Sequence, residues 1–120
     1  SHPAFARASR WLVEHQRVDG GWGESYRGML EDAPVALPEG EASSVVQTAW
    51  AVLTLLDIAP HERDAIDRGV AYLRATQESD GSWAPEAPTG CFFNTSVLEY
   101  DLYRQIFPAW ALARYLAHAA

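Results

Sequence analysis

The sequence is poor in cysteine, in basic residues and in long apolar runs. One cysteine, Cys91, stands alone among 120 residues, which excludes an internal disulfide and leaves no Cys/His cluster with zinc-like spacing. Nine Lys and Arg face 16 Asp and Glu, for a net charge of -7. No basic stripe of the kind that nucleic acid needs is available, and electrostatic attraction to anionic lipid is disfavoured, although an apolar membrane contact is not. Residues 1 to 15 lack the continuous apolar core of a secretory signal. The longest apolar stretch is broken by Thr54 and Asp57 and is too short for a membrane span. The composition reads as intracellular.

What is present is a repeat. "WLVEHQRVDGGW" at 11 to 22 returns as "YLRATQESDGSW" at 72 to 83. With one constant offset, Arg7 matches Arg68, Leu12 matches Leu73, Gln16 matches Gln77 and Asp19 matches Asp80; Gly20 matches Gly81 and Trp22 matches Trp83. "AWAVLTLL" at 49 to 56 then answers "AWALARYL" at 109 to 116, at an offset one residue shorter. The unit is helix, glycine-tryptophan turn, loop and a more apolar helix. Units at about 3–58 and 61–118 fill one domain, 1–120. A period of about 60 residues is the mark of stacked supersecondary units.

Four main helices are expected, and the fold is all-α. Residues 3 to 17 and 61 to 77 are amphipathic. In the first, Phe5, Ala8, Trp11 and Leu12 are placed to face a partner while Arg7, Arg10 and Glu14 stay wet. In the second, Ile66, Val70 and Leu73 recur at helical spacing, and Asp64 suits the start of the helix. Residues 43 to 58 are apolar around nearly the whole circumference, capped by Ser43 or Ser44 and ended by Pro60. Residues 101 to 117 are similar, with Pro108 starting or kinking the segment. A helix apolar all round is buried all round, so Trp50 and Trp110 are assigned to the core. Two such units cannot cover their own inner helices, and the chain reads as a piece of a larger ring or a self-associating one.

The repeated phrase reads as architecture. Gln16 and Gln77 fall at helix ends, where an amide bonds free backbone groups of its own or a neighbouring helix. Asp19-Gly20 and Asp80-Gly81 make tight turns in which glycine takes a backbone angle that other residues resist. Trp22 and Trp83 fold a flat ring back onto the helices and donate through the indole N–H. Glu24, Glu31, Asp32, Glu39 and Glu41 mark a solvated loop, and the four histidines are scattered.

"RASRWLVEHQRVDGGW" and "RGVAYLRATQESDGSW" resemble the Gln-Trp motif of the class II triterpene cyclases, the squalene–hopene and oxidosqualene cyclases. "VQTAWAVLTLL" and the tail "FFNTSVLEYDLYRQIFPAWALARYLA" resemble the helices between and after the last two such motifs. The resemblance covers essentially the whole chain. It implies a fragment of an α/α toroid, the α6-α6 barrel, from the C-terminal end of an enzyme that cyclises squalene or 2,3-oxidosqualene through a carbocation cascade. It implies no metal and no cofactor, an isoprenoid substrate, the remainder of a larger polypeptide as partner, and monotopic membrane attachment of that parent. A location in the cytoplasm or on its membrane face follows.

The family's aromatic cavity residues carry over to Tyr100 and to Phe92, eight positions before it, with Phe93 as the rival because it directly precedes Asn94. Ser96 stands where squalene–hopene cyclases carry a further aromatic. An aromatic face stabilises a cation when the surroundings are dry. The family's Asp-rich proton donor has no counterpart here, so no catalytic residue is assigned within the chain. Tyr103 and Arg104 are expected to brace the last helix, with Arg104 free to meet a carboxylate. Two alternatives stay open. One is a non-catalytic stand-alone repeat module for apolar ligands or assembly. The other is a toroid like the protein prenyltransferase β subunits, which is weakened because Cys91 lacks a ligand set.

Overall fold

A computed structural model describes residues 2–86, 90–92, 96–98 and 101–119. Four long helices, α1 (Pro3–Glu14), α3 (Val45–Ile58), α4 (Arg63–Thr76) and α5 (Asp101–Ala119), dominate it, with a short α2 (Arg27–Glu31) in the loop after the first turn. The all-α expectation holds for the body of the chain. A two-stranded antiparallel hairpin, β1 (Gly90–Phe92) against β2 (Ser96–Leu98), is added between the second turn and α5, with Cys91 opposite Val97.

Local chemistry sets the helix ends. α1 opens on Pro3, whose fixed φ suits the first turn, and the His2 Nδ1 accepts the Ala4 amide at 3.1 Å. Ser44 caps α3 through the Gln47 amide at 3.1 Å. The Glu86 carboxylate adds a second cap from far along the chain, accepting the amides of Val45 at 2.7 Å and Val46 at 3.1 Å and the Ser44 hydroxyl at 2.9 Å. A negative charge on these free amides also meets the positive end of the helix dipole. Asp64 lies in the first turn of α4 and Arg74 in its last, as the dipole favours. Pro108 lies inside α5 and is fully buried, so it neither starts nor ends that helix.

α3 is the centre, packed against α5, α4 and α1. Val46, Ala49, Val52 and Leu55 of α3 join Ile66, Val70 and Leu73 of α4, Ala111 of α5 and the two tryptophans Trp22 and Trp83 in the core. Two expectations are corrected. The face that α1 turns to the core is Ser9, Leu12 and Val13, whereas Phe5 and Trp11 are about half exposed and Ala8 is exposed. Nor are the inner helices covered on every side: Trp50 is 36% exposed, and Leu102, Ile106, Trp110 and Leu116 form an open apolar stripe along α5. The reason is the one that the apolar pattern raised. Two units supply too few helices to wrap both inner ones. Among the described residues, no helix is long and apolar enough to cross a membrane.

Candidate functional site: two Gln-Trp clamps and an aromatic wall

The two copies of the phrase fold into the same turn. In the first, Arg17 N–H donates to the Gly21 carbonyl at 2.9 Å and Gly20 N–H to the Arg17 carbonyl at 2.9 Å. In the second, Glu78 N–H donates to Ser82 at 2.7 Å and Gly81 N–H to Glu78 at 2.9 Å. Asp19 accepts the Gly21 amide and Asp80 the Ser82 amide, both at 2.9 Å. Gly20 and Gly81 both have φ of +91°, which removes the strain that a Cβ would bring there.

Each glutamine amide donates to the carbonyl of its own turn glycine at 2.8 Å, Gln16 to Gly20 and Gln77 to Gly81. Each indole reaches back to the helix before it: Trp22 Nε1 to the Leu12 carbonyl at 2.7 Å and Trp83 Nε1 to Leu73 at 3.0 Å. Each tryptophan backbone is held by the following inner helix. Thr48 Oγ1 accepts the Trp22 amide at 2.9 Å and donates to its carbonyl at 3.3 Å. Gln105 does the same for Trp83, at 2.9 and 2.8 Å. Arg104 Nε also donates to the Trp83 carbonyl, at 3.3 Å, so it braces the last helix as expected.

The copies differ in what they clamp. Gln16 Nε2 also donates to the Ala65 carbonyl of α4 at 2.9 Å. Arg68 of α4 returns to the first turn, donating to Gln16 Oε1 at 3.1 Å and to the Arg17 carbonyl at 3.2 Å. The first turn therefore ties one repeat to the next.

A polar network supports this joint. Asp19 accepts the Ser43 hydroxyl at 2.6 Å and amide at 3.0 Å, and the Tyr72 hydroxyl donates to the Ser43 carbonyl at 2.5 Å. Burial alone raises the Asp19 pKa, but the bonds from Ser43 and Gly21 and the charge of Arg17 outweigh it and hold the carboxyl below its ordinary range. Burial, with the negative charges of Asp19 and Glu86, pushes the Tyr72 hydroxyl up to about 12. Its folded-state proton is thus held more tightly than in the unfolded chain. The stabilisation is fully present below pH 10 and is lost as pH rises from 10 towards 12. A shift of that size corresponds to roughly 2 kcal/mol. Tyr72→Phe is expected to flatten the alkaline limb of a stability–pH curve, measured by urea unfolding between pH 8 and 12; an unchanged limb would assign it to another group.

The inner face is aromatic. Trp50 meets Phe107 edge-on at 5.5 Å, Tyr103 meets Phe107 at 5.3 Å, and Phe107 stacks on Trp110 at 6.1 Å. A groove of about 550 Å³ runs between α1 and α3, with Trp11, Leu12, Trp22, Leu37 and Trp50 on its walls. Trp11 is held there by stacking on His15 at 4.0 Å. Among the described residues, no group of three or more His, Cys, Asp or Glu side chains is placed to hold a metal.

All eight residues of the repeated phrase take the positions that the sequence predicts. Phe92 closes β1, described at the level of its backbone. Phe93 and Tyr100 lie outside the described residues. Sequence reasoning missed the roles of Thr48, Gln105, Tyr72 and Glu86. Tyr72 carried a signal, since it matches Trp11 in the repeat. Thr48 and Gln105 carried none, because the repeat alignment pairs Thr48 with Pro108.

The family model described as the squalene–hopene cyclase C-terminal domain matches residues 1–117. The chain is 41% identical over 105 residues to the lanosterol synthase of Saccharomyces cerevisiae, covering 88% of this chain and 14% of that protein. It is 40% identical over 121 aligned positions to the squalene–hopene cyclase of Bradyrhizobium diazoefficiens, covering 94% and 17%. Human lanosterol synthase is 34% identical over 110 residues, covering 92% and 15%. The chain thus spans a small fraction of the length of these relatives. With the paired Gln-Trp clamps and two-layer helix packing, these matches place the chain in the class II triterpene cyclase family, as the squalene–hopene cyclase C-terminal domain.

Proposed function

We propose that this chain is the C-terminal part of a cyclase acting on squalene or 2,3-oxidosqualene, and that it supplies one wall of the reaction chamber. The observation that carries the proposal is the family match across residues 1–117. The open aromatic face of α3 and α5 supports it: Trp50, Tyr103, Phe107 and Trp110 form a surface suited to an apolar neighbour. The chemistry is a cation cascade, in which π-faces stabilise charge that water would quench. Phe92, Phe93 and Tyr100 are the cation-stabilising candidates. Initial protonation is assigned to an acid elsewhere in the polypeptide, and neither metal nor cofactor is invoked. The Gln-Trp clamps hold the wall rigid, so that the aromatic groups keep their places as charge moves. Attachment of the parent to one membrane leaflet through apolar surface is part of the same proposal.

The test is made in the polypeptide that carries this chain, offered squalene and oxidosqualene. Phe92→Ala and Tyr100→Ala are each expected to redirect or abort cyclisation, releasing partly cyclised products. The thermal midpoint is expected to stay within a few degrees of the parent value, because the clamps are untouched. Gas chromatography of the products reads the first expectation. An unchanged product spectrum in both variants would remove these residues from the chamber.

A further inference from the structure

The joint between the two repeats has two open counterparts, one at each edge of the chain. On the receiving side, the first turn binds α4 through Gln16, which reaches the Ala65 carbonyl and is held by Arg68. Gly20 packs so closely on α4 that a Cβ there would lie 2.6 Å from the Arg68 carbonyl oxygen. The second turn has the same internal geometry, but Gln77 and Gly81 are exposed, and a Cβ on Gly81 would meet only its own Gln77 amide, at 3.9 Å. Beside it lies a groove of about 570 Å³ walled by Ala109, Leu112, Ala113 and Leu116 of α5.

On the inserting side, α4 buries Ala65, Ile66, Gly69 and Tyr72. The matching residues of α1 are Ala4, Phe5, Ala8 and Trp11, of which the last three are exposed. Arg7, the counterpart of Arg68, is exposed as well. Leu112 and Leu116 match Val52 and Leu56 of α3, and Leu116 is 67% exposed. The edges are also complementary in charge. The second turn carries Glu78 and Asp80 where the first carries Arg17 and Asp19, and α1 offers Arg7 and Arg10 on one side.

We propose that copies of this chain join head to tail, α1 of one copy seating on the second turn and α5 of the next as α4 seats on the first turn and α3. The contact continues an interface already formed inside the chain. Gln77 donates to the Ala4 carbonyl of the next copy, and Arg7 of that copy binds Gln77 and the acidic turn. A heterologous joint of this kind grows into rings or open chains rather than a two-fold dimer. Ala8 replaces Gly69, whose absent Cβ leaves 2.9 Å to the Trp22 ring, so the copies close less tightly than the repeats do and dissociate on dilution. The joint does not depend on the proposed cyclisation.

The experiment is light scattering and sedimentation of the 120-residue chain across a wide concentration range. Average mass is expected to rise with concentration and to fall with added salt. Arg7→Glu and Gln77→Ala, each checked for unchanged helicity, are expected to weaken association by roughly tenfold or more. Mixed together, these variants retain one intact joint between them and are expected to form a heterodimer that grows no further. Three results would overturn the proposal: a monomer at every concentration, single variants that associate like the parent chain, or a mixture that stays monomeric. A two-fold dimer through the α5 stripe would produce the second of these.

Discussion

Trp22→Ala is expected to lower the unfolding free energy by roughly 3–5 kcal/mol, the usual cost of deleting a large buried aromatic. The ring is 4% exposed. It fills space that Gly69 leaves open, since a Cβ there would come within 2.9 Å of the ring edge. Alanine would leave a cavity between α3 and α4, and neither helix is free to collapse into it. The Leu12 carbonyl would also lose its indole donor. A domain of this size is stable by about 5–15 kcal/mol, so a third or more of its stability rests on one side chain. Trp22→Phe keeps most of the ring and loses the N–H, and is expected to cost about 1–2 kcal/mol beyond its smaller volume. Urea unfolding followed by circular dichroism reads both. A Trp22→Ala midpoint equal to that of the parent would dismiss the clamp as a stabilising element.

The second large effect is a difference between two glycines of equal backbone geometry. Gly20→Ala and Gly81→Ala both place a Cβ at φ +91°, which is strained for an L-residue and costs about 1–2 kcal/mol. At Gly81 that is the whole cost, because the added methyl meets open space. At Gly20 the methyl strikes the Arg68 carbonyl at 2.6 Å. The struck atom belongs to helix backbone and cannot swing away, so overpacking adds about 1–3 kcal/mol. Gly20→Ala is therefore expected to be clearly the more destabilising of the pair in denaturant unfolding of the monomer. Equal losses would mean that the turn's own geometry sets the cost and that the inter-repeat contact contributes little.

The Asp19 network adds an acid limb to the same joint. Its carboxyl pKa is lowered in the folded chain, so its contribution is present above the unfolded value and is lost as pH falls through the folded one. Asp19→Asn is expected to reduce stability at neutral pH and to blunt the loss on acidification below about pH 4. Urea midpoints from pH 2 to 7 read this; an unblunted acid limb would place the titrating group elsewhere.

Much of this architecture is legible in residues taken a few at a time. The helical spacing of Ile66, Val70 and Leu73, the serine cap of α3 and the Asp-Gly turns are local devices, and the chain folds as they direct. The repeat itself needs only self-comparison. Less was legible at the site. Trp50 and Trp110 look like core residues because an indole on an apolar helix belongs away from water, yet both are partly open. Apolar character states that a surface needs covering; it does not state what covers it. Phe5 and Trp11 of α1 teach the same lesson from the outer layer. Glu86 has no sequence signal as a cap for α3, because its partners lie some forty positions earlier.

The sequence by itself determined the repeat unit, the helical class, the turn geometry and, through the two Gln-Trp phrases, the family. Each is written in short stretches whose spacing carries the physics. Only the tertiary structure decided which way the clamp runs. Gln16 and Gln77 are the same residue in the same turn, each bonded to its own glycine carbonyl, but Gln16 also holds α4 because α4 follows it in space. A bond that needs two elements cannot be read from either one alone.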